Sequence, residues 1–211
     1  MQPREFLEEL IERYPVLEPV KEDIWNVYKL MEECYAGGGK VLIAGNGGSS
    51  ADAEHIVGEL MKGFKKPRSV TAEFAEKLRE ADGERAEELI QKLQGGLPAI
   101  SLSSHPALCT AYLNDVDGNL ITAQQVYGYG KEGDVLLGIS TSGNAKNVMF
   151  AVAVAKAKGM KVAALTGNNG GKLGKAADVA VIVPEPETYR IQELHLPIYH
   201  VLCLMLEERF F

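Results

Sequence analysis

The sequence predicts an α/β protein: a three-layer αβα sandwich built on a five-stranded parallel sheet, with a helical arm in front of it. Three observations lead there. Short apolar runs recur at 40–44, 97–102, 134–139, 161–166 and 179–183, and they are near-continuous, which suits strands buried on both faces of a parallel sheet. Helical stretches at 51–62, 106–113, 147–158 and 172–176 separate them, giving the βαβα rhythm of three layers. Two glycine and serine segments, Gly45-Asn46-Gly47-Gly48-Ser49-Ser50 and Ser140-Thr141-Ser142-Gly143-Asn144-Ala145, each join a strand to a helix.

The elements follow in order. Residues 5 to about 35 carry apolar positions at helical spacing: Phe6, Leu7, Leu10 and Ile11, then Val20, Ile24, Val27, Tyr28 and Met31. Pro15 and Pro19 split this arm into two helices within 1–36, and Gly37-Gly38-Gly39 ends the second. Such an arm packs on a partner subunit or on its own core. Residues 66–95 interrupt the strand–helix alternation; 72–94 is highly charged and reads as one or two helices broken near Asp82-Gly83, an element expected at the rim of the site. The tail, 189–211, is a long amphipathic helix in which Pro197 should cause a kink or a local gap. The whole chain reads as one domain, 1–211.

Composition bounds the function. The 211 residues carry a net charge of −7, with no Lys/Arg block suited to a phosphate-backbone groove, so nucleic acid is not an expected ligand. No apolar run approaches the length of a membrane span and the N-terminus lacks a signal core, so a cytoplasmic protein without membrane contact is expected. Cys34, Cys109 and Cys203 are scattered and odd in number, which fits buried thiols rather than disulfides or a Cys-x-x-Cys metal site.

A strand running into a glycine-rich turn and then a helix aims free backbone N–H groups and the positive end of the helix dipole at one spot. Two such loops with hydroxyls favour a phosphorylated ligand beyond the carboxyl ends of the strands. His55 and Glu59, at i and i+4, share a face of the helix leaving the first loop; such a pair binds a metal, transfers protons or is a plain surface pair. Gln192, Glu193, His195 and His200 lie on the final helix, Gln192 and His200 eight residues apart on one broad face. The residues alone thus describe an α/β protein holding a phosphorylated small molecule, with a carboxylate and an imidazole as candidate acid/base groups.

The same residues carry a family resemblance. Ala44-Gly45-Asn46-Gly47-Gly48-Ser49 with Asp52, His55 and Glu59 resembles the first signature of the phosphoheptose isomerases, of the SIS (sugar isomerase) superfamily. Gly133–Asn144, followed by Leu165-Thr166-Gly167 and Gly170-Gly171, resembles the second, and Arg190-Ile191-Gln192-Glu193-Leu194-His195 with His200 the third. The resemblance spans about residue 5 to the C-terminus, with 66–95 as an insertion. It implies the SIS fold and conversion of sedoheptulose 7-phosphate to D-glycero-D-manno-heptose 7-phosphate, an aldose–ketose isomerisation through an enediol. By position, Glu59 resembles the base that deprotonates C1 and His200 the acid. Ser140, Thr141 and Ser142 with the N–H groups after Gly143 match the phosphate loop; Asn46, Gly47, Ser49, Asp115, Asn144 and Gln192 match substrate contacts. Zinc, one per subunit, is implied on His55, Glu59, Gln192 and His200, and the assembly implied is a homotetramer with sites between subunits.

Three positions depart from the family pattern: Ala145 where a further serine is usual, Gly63 where arginine is frequent, and Tyr189 where aspartate is frequent. Lys62, Lys65, Lys66 and Arg68 are the nearby substitutes for the missing cation. The departures leave open an isomerase for a different sugar phosphate. A non-catalytic SIS binding protein of the replication-initiator-associating type is the contrasting reading; those proteins lack the matching carboxylate and imidazole, which this chain keeps.

Overall fold

The computed structural model describes residues 2–211. Its five strands are β1 (Val41–Ala44), β2 (Ala99–Ser101), β3 (Val135–Ile139), β4 (Lys161–Gly167) and β5 (Val179–Val183). They form one sheet in the order β2-β1-β3-β4-β5, and every pairing is parallel. The helices are α1 (Pro3–Arg13), α2 (Lys21–Ala36), α3 (Gly48–Met61), α4 (Ala72–Ala81), α5 (Ala86–Lys92), α6 (Pro106–Asp115), α7 (Ile121–Tyr129), α8 (Lys146–Ala157), α9 (Gly171–Ala176) and α10 (Thr188–Phe210).

Strand side chains alternate between two cores, as the pleat demands. Val41, Ile43, Val135, Leu137, Leu165 and Val181 face α1, α2, α3 and α10. Leu42, Ala44, Leu136, Val162 and Ala164 face α7, α8 and α9. The strand starts are pinned by Asp134, which is fully buried and accepts from the Lys40 N–H at 3.0 Å, the Lys131 N–H at 2.9 Å and Lys40 Nζ at 2.6 Å.

Most elements lie where the sequence places them, with ends shifted by a residue or two. The arm is divided by a 3-10 turn, Pro15–Val20, and α1 packs on its own chain, burying Leu7 and Leu10 against the core shared with α10. α10 runs unbroken through Pro197, which lines a cavity of about 220 Å³ between α1 and α10. The sequence does not predict α7: its apolar positions are sparse and Gly128 sits in its last turn, yet it packs along α8 and buries Ala123 and Val126.

The insertion is a two-helix hairpin broken at Asp82–Arg85, on a narrow stem: Ser69 bridges Gln94, and the Gly95 N–H donates to the Arg68 carbonyl at 2.7 Å. The stem abuts the last turn of α3, where Gly96 lies against the Met61 backbone. The hairpin is thus rooted at the far end of α3 from the first glycine loop, beside the turn that carries Glu59.

Candidate active site

In the strand order found here, the chain crosses from β1 to one side and then back past it to β3. The crevice between β1 and β3 is therefore the topological switch point, where open α/β sheets bind ligands. Both glycine loops open there, one after β1 and one after β3. They enclose a pocket of about 380 Å³ lined by Asn46, Gly47, Gly48, Ser49, Ser140, Thr141 and Ser142, together with Ala145, Thr188 and Gln192.

Glycine is required at two of these turns. Gly143 adopts φ +64°, and a Cβ there would collide with the Gly170 carbonyl, so the second loop lies directly on the turn before α9. A Cβ on Gly48 would come within 2.5 Å of Gln192 Nε2, so the start of α3 carries Gln192 against its backbone. Asn46 and Asn147 exchange two amide hydrogen bonds of 2.9 and 2.8 Å, holding the first loop to α8. Ala145 caps α8 without a side-chain hydrogen bond. The first N–H groups of α8 are thus left to whatever anion the hydroxyls of Ser140, Thr141 and Ser142 receive.

A second group of polar side chains lies further along α3 and α10. His55 Nε2 is 3.4 Å from Glu59 Oε1, and Lys62 Nζ donates to Glu59 Oε2 at 3.3 Å. The rings of His55 and His200 meet edge to face with centroids 5.0 Å apart, and Phe64 covers His200 at 5.5 Å. Tyr199 Oη donates to Asp52 Oδ1 at 3.3 Å, so Nδ1 of His55, 3.0 Å from Oη, is the donor of that bond, and Nε2 faces Glu59. Burial, reinforced by the neighbouring His55, lowers the His200 pKa against the opposing pull of Glu59. Burial likewise raises the Asp52 carboxyl above its ordinary value, despite the Tyr199 bond and His55. Nε2 of His200 and Oδ2 of Asp52 are buried without a hydrogen-bond partner.

The expected site residues thus divide. Asn46, Gly47, Ser49, Ser140, Thr141, Ser142 and Gln192 share the pocket. Asn144 does not line it: its amide donates to the Ser142 carbonyl at 2.8 Å and its Oδ1 accepts from the Lys172 N–H, tying the loop to α9. Asp115 is not there either; it is exposed at the end of α6, held by Asn114 Nδ2 at 2.8 Å. His195 is fully buried with Nε2 at the Thr166 carbonyl, a core group rather than a site group.

Three of the four expected zinc ligands, His55, Glu59 and His200, neighbour one another, and Gln192 stands two turns before His200 on α10. Two imidazoles, a carboxylate and an amide oxygen suit zinc chemically, and the orphaned His200 Nε2 is an available donor. Yet Gln192 rests on Gly48, while His200 lies eight residues, about 12 Å, further along α10. Among the described residues, no group of three or more His, Cys, Asp or Glu is arranged to hold a metal ion.

Nor do the substitute cations reach the pocket. Lys62 pairs with Glu59, Lys65 Nζ lies over the Phe6 ring at 5.7 Å, Lys66 pairs with Glu208 at 2.7 Å, and Arg68 is buried against Glu207. All stand beyond the far end of α3 from the loops. Thr188 in the pocket and Tyr199 behind His55 are not among the residues that the sequence singles out, and Asp52 stands there in the first signature without a role. Asp52 was legible as the i−3 neighbour of His55, but the contact with Tyr199 joins residues 147 apart.

Known proteins resemble this chain in sequence and in fold. Residues 83–167 match the SIS domain family. A phosphoheptose isomerase of a Nitratiruptor species is 37% identical over 206 residues, covering 96% of each chain. That of Helicobacter pylori is 39% identical over 194 residues, covering 92% of this chain and 88% of its own. The structure of phosphoheptose isomerase GmhA from Neisseria gonorrhoeae superposes with a TM-score of 0.75 at 33% identity, covering 95% of this chain and 94% of its own. A phosphoheptose isomerase from Francisella tularensis gives 0.76 at 32%, covering 97% and 96%. With such identity over nearly the whole length, and with the glycine loops at the switch point and the carboxylate–imidazole cluster further along α3 and α10, this chain belongs to the phosphoheptose isomerase family.

Proposed function

We infer that the protein is an aldose–ketose isomerase that converts sedoheptulose 7-phosphate to D-glycero-D-manno-heptose 7-phosphate. The observation that carries the reading is the pairing of a hydroxyl-lined pocket at a helix N-terminus with a carboxylate–imidazole cluster, in a chain of this family. The phosphate docks on Ser140, Thr141, Ser142 and the first N–H groups of α8. Glu59 takes a proton from C1; the C–H electrons form the C1=C2 bond, and the C2 oxygen takes a proton from His200. The resulting enediol collapses when O1 loses its proton and C2 gains one, leaving the aldehyde at C1.

Two copies build each site in this reading. Glu59 lies eleven residues past Gly48, about 16 Å of backbone rise along α3, so the first glycine loop and the Glu59–His200 pair sit at opposite ends of that helix. One copy would supply the phosphate pocket and another the Glu59–His200 pair, as in a homotetramer with sites between subunits. Exposed Leu113, Val116, Tyr127 and Tyr189 offer apolar surface for such contacts. Zinc belongs to the same proposal: His55, Glu59, Gln192 and His200 would hold it once their side chains turn onto the ion, and it would supply polarisation of the substrate oxygens. Metal analysis of the protein purified without chelator tests this, and a content near zero removes zinc.

The deciding experiment follows sedoheptulose 7-phosphate in deuterated water by NMR, beside Glu59→Gln and His200→Asn. Heptose 7-phosphate labelled at C2, lost in both variants, is expected. No turnover, with or without zinc, overturns the heptose assignment. Ala145, which brings no hydroxyl to the loop, then directs the search to shorter sugar phosphates.

A further inference from the structure

Arg68 and Glu207 form a buried ion pair that the chemistry above does not use. The Arg68 side chain is 0% exposed and that of Glu207 is 2% exposed, with Arg68 Nε 2.9 Å from Glu207 Oε1. The rest of the guanidinium closes the end of α3: Nη1 donates to the Leu60 carbonyl at 2.7 Å and Nη2 to the Glu59 carbonyl at 3.0 Å. Those carbonyls lie in the last turn of the helix, where in-helix partners run out and the dipole favours a cation. The Arg68 guanidinium also stacks on the Phe211 ring at 4.6 Å.

Glu207 is held as tightly. Its carboxylate accepts from three consecutive backbone N–H groups, Phe64 at 2.8 Å, Lys65 at 2.9 Å and Lys66 at 3.1 Å. It lies seven residues after His200 on α10, two turns along the same face. The loop that it pins begins with Phe64, whose ring covers His200. One charge pair therefore touches the backbone of Glu59, the residue that shields His200, and the helix that carries His200. Stability is a weak reason to keep such a pair, because buried ion pairs are often replaced by apolar residues of similar volume at little or no loss.

We propose that Arg68 and Glu207 are positioning residues, which fix the last turn of α3 against α10 and so set Glu59 relative to His200. The inference rests on the roles given to Glu59 and His200 above. Glu207→Gln keeps the shape, removes the charge and turns an N–H toward backbone donors. Arg68→Met removes both bonds to the end of α3.

The test measures both variants and Arg68→Lys, each at a temperature where thermal melts show it folded. A misplaced base slows proton abstraction: kcat falls roughly 10- to 100-fold with KM within about twofold. The primary deuterium isotope effect at C1 rises, because that step becomes more rate-limiting. Arg68→Lys, which keeps the charge and a donor, recovers part of kcat. If instead kcat per folded molecule, KM and the isotope effect all match the wild type, the pair is only structural and the proposal is overturned.

Amide exchange separates this failure from failure of the isomerase reading. If the wild type does not turn over the heptose phosphate, exchange in segment 55–62 still reports the coupling. About tenfold faster exchange there in Glu207→Gln, with β3 unchanged, supports positioning; unchanged exchange overturns it.

Discussion

His195 should make the fold acid-sensitive over a defined window. Its imidazole is fully buried, with Nε2 3.2 Å from the Thr166 carbonyl. A carbonyl only accepts, so Nε2 carries the hydrogen and Nδ1 is left as an acceptor with no partner. Protonation would place a second N–H and a charge where nothing receives them. Burial accordingly pushes the pKa from 6.5 down to about 4, against the upward pull of the Thr166 bond. Between those two values the unfolded chain binds a proton that the folded chain refuses. Stability is therefore intact above the upper value and falls as pH falls through the window. At about 1.4 kcal/mol per pH unit, the window amounts to roughly 3 kcal/mol. The assay is urea unfolding of wild type and His195→Gln at a series of pH values across it, at fixed protein concentration. Gln keeps a donor for Thr166 and does not titrate. The stability difference between the two proteins should change by about 3 kcal/mol in favour of the variant as pH drops. A difference that stays constant with pH would show that His195 titrates normally, and would refute the burial argument.

Three further outcomes are expected. Ser140→Ala and Thr141→Val each remove a donor to the phosphate, and since that group is remote from the reacting carbons, KM should rise about tenfold with kcat nearly unchanged; steady-state kinetics in which kcat falls alone would contradict the docking. Asp134→Ala strands the Lys40 ammonium and two backbone N–H groups inside the sheet start, a loss of about 3–5 kcal/mol in urea unfolding. Tyr199→Phe leaves His55 Nδ1 and Asp52 without their shared partner, a cost of about 1–3 kcal/mol, and should lower kcat as His55 turns freely; wild-type kcat would show that another group orients it.

By itself the sequence determined the elements and the chemistry of the loops. Apolar runs, proline and glycine act over a few residues, so the five strands, the divided arm, the broken insertion and both strand–glycine–helix turns were legible. Glu59 and His55 were legible as a pair because one helical turn separates them. α7 was not, because what holds Ile121–Tyr129 helical is its packing on α8, a contact without a local signature. The tertiary structure decided which elements become neighbours. The sheet order placed both loops at one switch point, and the parallel course of α3 and α10 brought Tyr199 to Asp52, His200 to His55 and Glu207 to the loop after α3. The same course set Gln192 two turns from His200, against Gly48 at the pocket. Arg68 reads in the sequence as one more cation near the site; only burial against Glu207 shows it committed to the frame of that site. Local propensity acts within a turn or two of helix, whereas these partners lie 139 to 147 residues apart along the chain, and it is the packing of both helices on one face of the sheet that joins them.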